Sequence, residues 1–239
     1  MNPDIFSEIS THIELPEDLD SFCKTSSKNF KFCKTYKNHF IKKILKNLKV
    51  DYTDPGNLIY IYNHKSMKDF HSPGVNKTWD FPGIYKLYMK LYKLTNIETS
   101  DSDVTSFPLL PNMITCGLMN CQIQMFPTQK SLKECSINRT FLKEFHIQPN
   151  MVECDVSQNF LTEFPIQPRM EGCYIDSNYL RSFPTQPNMI FFNGIANGFT
   201  TFSIQPKMQI CDIKNNFLKT FPSQPQMIKC NIDNNQELE

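Results

Sequence analysis

Residues 164–182 read FPIQPRMEGCYIDSNYLRS, and residues 183–201 read FPTQPNMIFFNGIANGFTT. Laid one over the other, these two nineteen-residue stretches share Phe, Pro, Gln, Pro, Met and Asn at equal offsets. The period continues outward in both directions. Phenylalanine stands at 107, 126, 145, 164, 183, 202 and 221, each step being nineteen residues. A second series is Met113, Leu132, Met151, Met170, Met189, Met208 and Met227. A third is Cys116, Cys135, Cys154, Cys173, Phe192, Cys211 and Cys230. Two residues later come Leu118, Ile137, Val156, Ile175, a break at Gly194, then Ile213 and Ile232. Asparagine follows at Asn159, Asn178, Asn197, Asn216 and Asn235, with Cys121 and Thr140 in the first two units. The last series is Ile123, Leu142, Leu161, Leu180, Phe199 and Leu218. A fixed period of this length is the mark of a repeat architecture.

The physics of one unit follows from its spacing. Cys and the apolar residue two positions on share one face of a short strand. Each turn brings equal positions against the next, so parallel strands stack about 4.8 Å apart and the apolar series become columns of one core. The Pro-x-Gln-Pro segment suits neither a helix nor a central strand, which makes the return side extended. The cysteine column packs as small apolar side chains. Its spacing of nineteen, with no histidine in the column, argues against a zinc site, and no metal or other cofactor is expected.

As one pattern the unit is F-P-x-Q-P-x-M-x-x-C-x-I-x-x-N-x-L-x-x. It resembles the leucine-rich repeat, L-x-x-L-x-L-x-x-N-x-L-x-x-L-P, with Met and Cys at two of the leucine positions. The resemblance covers residues 107–239 in seven units, with a degenerate eighth before them carrying Leu94, Ile97 and Val104. It implies a solenoid with a parallel sheet on its concave face. By analogy, Asn159, Asn178, Asn197, Asn216 and Asn235 are scaffold, bonding backbone groups of their own and the adjoining coil. The residues between the strand's core positions then face a partner. They run from Glu134, Ser136 and Asn138 through Glu153, Asp155 and Ser157, then Gly172, Tyr174 and Asp176. They continue through Phe191, Asn193 and Ile195 and Ile210, Asp212 and Lys214 to Lys229, Asn231 and Asp233. Six acids against two lysines make this face acidic, with an apolar spot around Tyr174, Phe191 and Ile195. Glu134, Glu153, Asp155, Tyr174, Asp176, Phe191 and Asp212 are the candidate contacts for a basic protein segment. Phe141, Phe160, Tyr179 and Phe217 form an aromatic stripe beside them. The fifth unit, with Phe192, Gly194 and Ile195, departs furthest from the pattern and marks a possible bend or ligand position.

The chain before the repeats differs in composition. Residues 1–96 hold 15 lysines and 10 acids, whereas residues 97–239 hold 10 basic and 14 acidic residues. Residues 1–50 read as three short helices. Asn2-Pro3-Asp4 starts the first, with Ile5, Ile9 and Ile13 on one face. Pro16-Glu17-Asp18 starts the second, with Leu19, Phe22 and Cys23 inward. The third carries Phe30, Cys33, Tyr36, Phe40, Ile44 and Leu45 on a stripe. Its lysines alternate with that stripe, which favours a solvated face over a nucleic-acid surface. Residues 51–96 form a linker, with a strand at Leu58–Tyr62, a loop around His71–Lys77, an anchoring Trp79, and a helix from Ile84 to Leu94 capping the first coil.

Residues 1–50 resemble an F-box. Pro3, Ile5, Ile9 and Ile13 fit its first helix, Glu17-Asp18-Leu19 its turn, and Ser26-Ser27-Lys28-Asn29-Phe30 its ending. Short F-box-like starts followed by degenerate repeats are found in large DNA viruses. The resemblance implies docking to the Skp-type linker of a cullin–RING ubiquitin ligase through Pro3, Ile5, Leu15, Pro16, Leu19 and Phe22, with the repeats holding a target. The fold expected is thus an α/β repeat protein: a short helical N-terminal bundle over residues 1–50, the linker over 51–96, and a leucine-rich-repeat solenoid over 97–239.

Other readings are narrowed by composition. Seven glycines against sixteen prolines leave no glycine-rich phosphate loop. The five histidines, at 12, 39, 64, 71 and 146, are scattered, and no H-E-x-x-H or G-x-S-x-G occurs. The last coil reaches Glu239 with no room after it for a catalytic domain, so no enzyme is expected. No apolar run approaches a membrane span, and residues 1–10 lack the basic start of a secretory signal. A cytoplasmic protein with all nine cysteines reduced is the resulting expectation, in the host cytoplasm if it is viral.

Overall fold

The computed structural model describes residues 12–13, 16–25, 27–50, 88–102 and 104–235. The expected first helix, apart from its last two residues, lies outside them. So do the strand at Leu58–Tyr62, the loop at 71–77 and Trp79.

Nineteen-residue coils form a right-through solenoid with one parallel sheet of eight strands. In chain order these are β1 (Asn96–Ser102), β2 (Thr115–Cys121), β4 (Glu134–Asn138), β6 (Glu153–Asp155), β7 (Gly172–Tyr174), β8 (Phe191–Asn193), β9 (Ile210–Asp212) and β10 (Lys229–Asn231). Two short strands, β3 (Met125–Phe126) and β5 (Glu144–Phe145), pair separately. The register places Cys116 beside Cys135, then Cys154, Cys173, Phe192, Cys211 and Cys230. The degenerate first unit supplies β1, with Ile97 and Val104 buried.

Each apolar series of the sequence becomes a buried column up to the last unit, where Phe221, Met227 and Ile232 are half-buried and Cys230 is exposed. Phe107 to Phe221 stack with neighbouring ring centroids 5.3–6.2 Å apart. Methionines 113, 151, 170, 189 and 208 are fully buried beside the cysteines, Cys154 Sγ lying 3.7 Å from Met170 Sδ. Flexible thioethers suit the irregular space between stacked rings and thiols.

One residue per coil turns left-handed. Asp101, Asn120, Arg139, Gln158, Ser177, Ala196, Asn215 and Asn234 have φ between 52° and 58°. This conformation turns the chain after the concave strand. It is cheap for Asn and Asp and costs about 1 kcal/mol or more for residues such as Ala or Gln.

Before the sheet lie α1 (Pro16–Lys24) and α2 (Ser27–Asn47). Pro16 opens α1, Glu17 and Asp18 follow at its positive end, and Lys24 closes it. Cys33, Phe40, Ile44 and Leu45 are buried as the stripe predicts. Tyr36 is not: it interrupts α2 with φ −105° and ψ 17°, and the kink carries its ring outward. Cys23 and Cys33 are joined by a disulfide, which corrects the expectation of reduced thiols throughout. The helical turn holds their Cα atoms 6.0 Å apart, within the reach of that bond.

The second half of α2 and helical residues 88–92 lie against the first coil. Leu109 donates its N–H to Leu48 O at 3.0 Å. Asn112 Nδ2 donates to Tyr92 O at 2.9 Å, and the Tyr92 hydroxyl bonds the Glu17 carboxylate. Tyr88, Leu91, Phe40, Ile41 and Ile44 join the solenoid's apolar columns in one continuous core.

Candidate protein-binding surface

The outward positions of the sheet form three columns. Glu134, Glu153, Gly172, Phe191, Ile210 and Lys229 make the first. Glu98, Gly117, Ser136, Asp155, Tyr174, Asn193, Asp212 and Asn231 make the second. Asp176, Ile195 and Lys214 belong to the third, at the ends of the strands. All seven concave candidates therefore share one face. Ser157, assigned to that face by its offset, is instead buried, and donates its hydroxyl to Asp176 at 2.7 Å.

At the N-terminal end of this face a depression of about 430 Å³ is lined by Glu98, Glu134, Glu153 and Asp155, with Gly117 in its floor and Tyr174 at its edge. Gly117 has no side chain to fill the space, and a Cβ there would approach Glu98 Cγ at 3.2 Å. Glu134 and Glu153 are exposed and stand opposite each other on adjacent strands. Among the described residues neither forms an ion pair, so their repulsion is relieved by solvent or by a bound cation. The aspartates are anchored. Asp155 accepts from Ser157 N at 3.0 Å and Asn138 Nδ2 at 3.0 Å. Lys214 lies 3.9 Å from Asp212, which partly neutralises the C-terminal end of the face. Tyr174 and Phe191 make the expected apolar spot, with ring centroids 4.8 Å apart. Glu98 escaped the sequence reading because it sits in the degenerate unit, yet its offset from Gly117 is the same nineteen residues.

The aromatic stripe is exposed along one edge of the sheet. Phe141 stacks on Phe160 at 5.8 Å, and Phe160 on Tyr179 at 5.9 Å. Phe217 stands at the same offset two coils beyond Tyr179.

The asparagines hold the coils together as expected. Asn178 Oδ1 accepts from Leu161 N at 3.0 Å, while its Nδ2 donates to Val156 O at 3.0 Å and Ile175 O at 3.1 Å. Asn159 does the same and takes the Thr140 hydroxyl at 2.6 Å. A second amide ladder was not read from the sequence. Gln129, Gln148, Gln167, Gln186, Gln205 and Gln224 are all buried. Gln186 Oε1 accepts from Gln167 N at 2.7 Å while its Nε2 donates to Pro165 O at 3.2 Å. Gln129, Gln148 and Gln205 grip the coil before them in the same two-point way. The signal was present in the recurrence of Gln every nineteen residues from Gln129 to Gln224, between prolines at Gln167, Gln186 and Gln224.

Seven cysteines are free, six buried and Cys230 exposed. Burial holds the Cys116, Cys135 and Cys211 thiols well above their ordinary pKa, and for Cys154 a hydrogen bond to Cys173 at 3.7 Å leads, with burial adding. Such thiols are protonated and inert at neutral pH. Of the F-box-like docking candidates, Pro16 is buried, and Leu19 and Phe22 are half-buried against the core. Pro3, Ile5 and Leu15 lie outside the described residues. Among the described residues no helix is long and apolar enough to cross a membrane.

Coiled parallel strands, a continuous apolar core and a ladder of buried asparagines define a leucine-rich-repeat solenoid. In structure the chain is similar to YopM from Yersinia enterocolitica WA-314, at 22% sequence identity and a TM-score of 0.57, over 72% of this chain and 41% of that one. It is also similar to YopM of Yersinia pestis, described as a leucine-rich effector protein, at 19% identity and a TM-score of 0.52, over 61% of this chain and 44% of that one. The chain thus spans less than half the length of the YopM chains it matches. No known protein family matches it, nor does any curated protein sequence.

Proposed function

We propose that this chain is a non-catalytic protein-binding scaffold whose concave sheet face holds a lysine- or arginine-rich segment of a partner. The observation that carries the proposal is the depression at Gly117, where four carboxylates and no basic side chain line the wall. Charge of one sign on a concave face steers and orients an oppositely charged partner. The fold likeness to YopM, described as a leucine-rich effector protein, supports a binding rather than a chemical role. Titration of the full chain with fluorescent oligolysine and oligoglutamate tests it. Oligolysine is expected to bind, more weakly as salt rises; equal or absent binding of both peptides overturns the reading.

A finer proposal adds the N-terminal region: the chain recruits a bound target to a Skp–cullin–F-box ubiquitin ligase. Its support is the F-box resemblance of residues 2–30. The burial of Pro16 sets a condition on it, since that residue must contribute to docking by holding α1 in place rather than by direct contact. A pull-down with a purified Skp-type linker, with and without residues 1–50, decides. Binding that is lost on deletion supports the adaptor, and no binding by either form leaves the scaffold alone.

A further inference from the structure

The aromatic stripe has a missing rung. Gly198 occupies the stripe's offset between Tyr179 and Phe217. The backbone passes through it without a break: the N–H groups of Phe160, Tyr179, Gly198 and Phe217 each bond the carbonyl eighteen residues earlier at 2.9 Å. The successive rings Phe141, Phe160 and Tyr179 stand 5.8 and 5.9 Å apart. Two such steps leave about 10–12 Å between Tyr179 and Phe217, so a ring inserted midway would have both neighbours within the usual 4.5–7 Å of aromatic pairs.

Among the described residues no aromatic ring stands at this rung of the stripe. Tyr179 and Phe217, the rings on either side of the notch, are 60% and 45% exposed. Backbone conformation does not demand glycine here, since Gly198 does not have positive φ. A Cβ on Gly198 would meet only Leu180 O at 3.3 Å and Arg181 Cγ at 4.0 Å, so the notch is floored by backbone and the aliphatic stem of an arginine. Asp176 lies three residues before Tyr179, on the acidic face that adjoins the notch. An occupant reaching both places therefore carries an aromatic residue next to a basic one.

We propose that the notch at Gly198 is a receptor for one aromatic side chain of the bound protein segment, its ring sandwiched between Tyr179 and Phe217. The proposal rests on the protein-binding reading above and names the partner's anchor. Sandwiching adds two aromatic pairs at once, which is the kind of contact that dominates an interface beside a charged rim.

The test uses the full chain and a neutral probe, N-acetyltryptophanamide, with N-acetylleucinamide as the control, followed by NMR of the aromatic side chains. Saturable shifts centred on Tyr179 and Phe217 are expected with the tryptophan probe alone. Gly198→Phe, which completes the stack, should weaken that binding roughly tenfold or more. Should that variant fail to fold, the exposed pair Tyr179→Ser with Phe217→Ser must give the same loss with an unchanged melting curve. Equal shifts at Phe141 and Phe160, equal binding of the leucine probe, or undiminished binding by the variants overturns the proposal. Because the probe is uncharged, this result is independent of the oligolysine titration, and either reading can fail without the other.

Discussion

The ring of Phe192 occupies the space that a side chain on Gly194 would need: a Cβ at Gly194 would lie 2.5 Å from Phe192 Cε1 and 2.9 Å from Phe199 Cε2. The other six full units have Cys at the first position and Leu, Ile or Val at the second. The fifth unit exchanges the two volumes. Its departure from the pattern, read in the sequence as a possible bend or ligand position, is a repacking inside the core. Gly194→Ile alone should overpack the coil and cost more than the usual 1–3 kcal/mol, and Phe192→Cys alone should leave a cavity costing about 3 kcal/mol. Together they restore the consensus, so urea denaturation of the double variant should show a loss well below the sum.

The glutamine ladder is expected to contribute as much as the asparagine ladder. Gln167→Leu leaves the Gln148 N–H, which now donates to Gln167 Oε1 at 2.8 Å, without its acceptor in a buried site. A loss of about 1–3 kcal/mol follows. Asn178→Leu should fall in the same range, and chemical denaturation of both variants checks the comparison.

Ala196 holds a left-handed backbone at φ 53° that asparagine adopts in other coils. Ala196→Asn should therefore raise stability by about 0.5–1 kcal/mol, whereas Asn215→Val should lower it by about 1–2 kcal/mol. Melting temperatures of the two variants should move in opposite directions.

Stability should fall in alkali. Cys116, Cys135, Cys154 and Cys211 are held protonated in the fold, while in the unfolded chain they ionise near their ordinary value of about 8.5. Above that pH the unfolded state binds fewer protons than the folded one, so the unfolding free energy drops as pH rises and is undiminished below it. Each thiol adds up to about 1.4 kcal/mol per pH unit. Denaturation midpoints between pH 7 and 10 measure this. With an aromatic disulfide reagent at neutral pH, exposed Cys230 should react first and the buried thiols only on unfolding.

Charge reversal at the two exposed glutamates, which form no ion pair among the described residues, separates binding from folding. Glu134→Lys with Glu153→Lys should abolish oligolysine binding while leaving the melting temperature within a few degrees of the parent. Asp155 and Asp176 are poorer probes, because they accept hydrogen bonds from Ser157 and would report on structure as well.

Much of the solenoid was legible because each coil meets only its neighbours, so one nineteen-residue pattern encodes one set of contacts. Buried columns, sheet register and the asparagine bonds all follow from it. What the pattern did not disclose depends on contacts that are not periodic or not apolar. Gln167 fell in the segment read only as an extended return, and it is the coil closing on the one before it that buries the amide. Tyr36 fits a helical stripe by spacing, but the kink in α2 removes it. Cys23 and Cys33 sit ten residues apart on separate helices, and their pairing depends on how those helices turn back. The acidic depression needed Glu98, whose unit is too degenerate to read alone.

Where a glutamine reaches out of its own coil, its grip is directed backward, onto the coil before it and no further. Such a clamp has no knowledge of its ordinal place. Excision of one whole period, for instance residues 148–166, would bring Gln167 to the proline carbonyl and amide N–H that Gln148 now holds, and every later rung would follow. Excision of one residue fewer would put the rung at the junction out of register, while the later rungs kept their spacing to one another. The molecule is thus quantised in length: it can be shortened or extended by entire coils through unequal recombination at little cost, and the reach of its concave face is a quantity that heredity can change in steps of one strand.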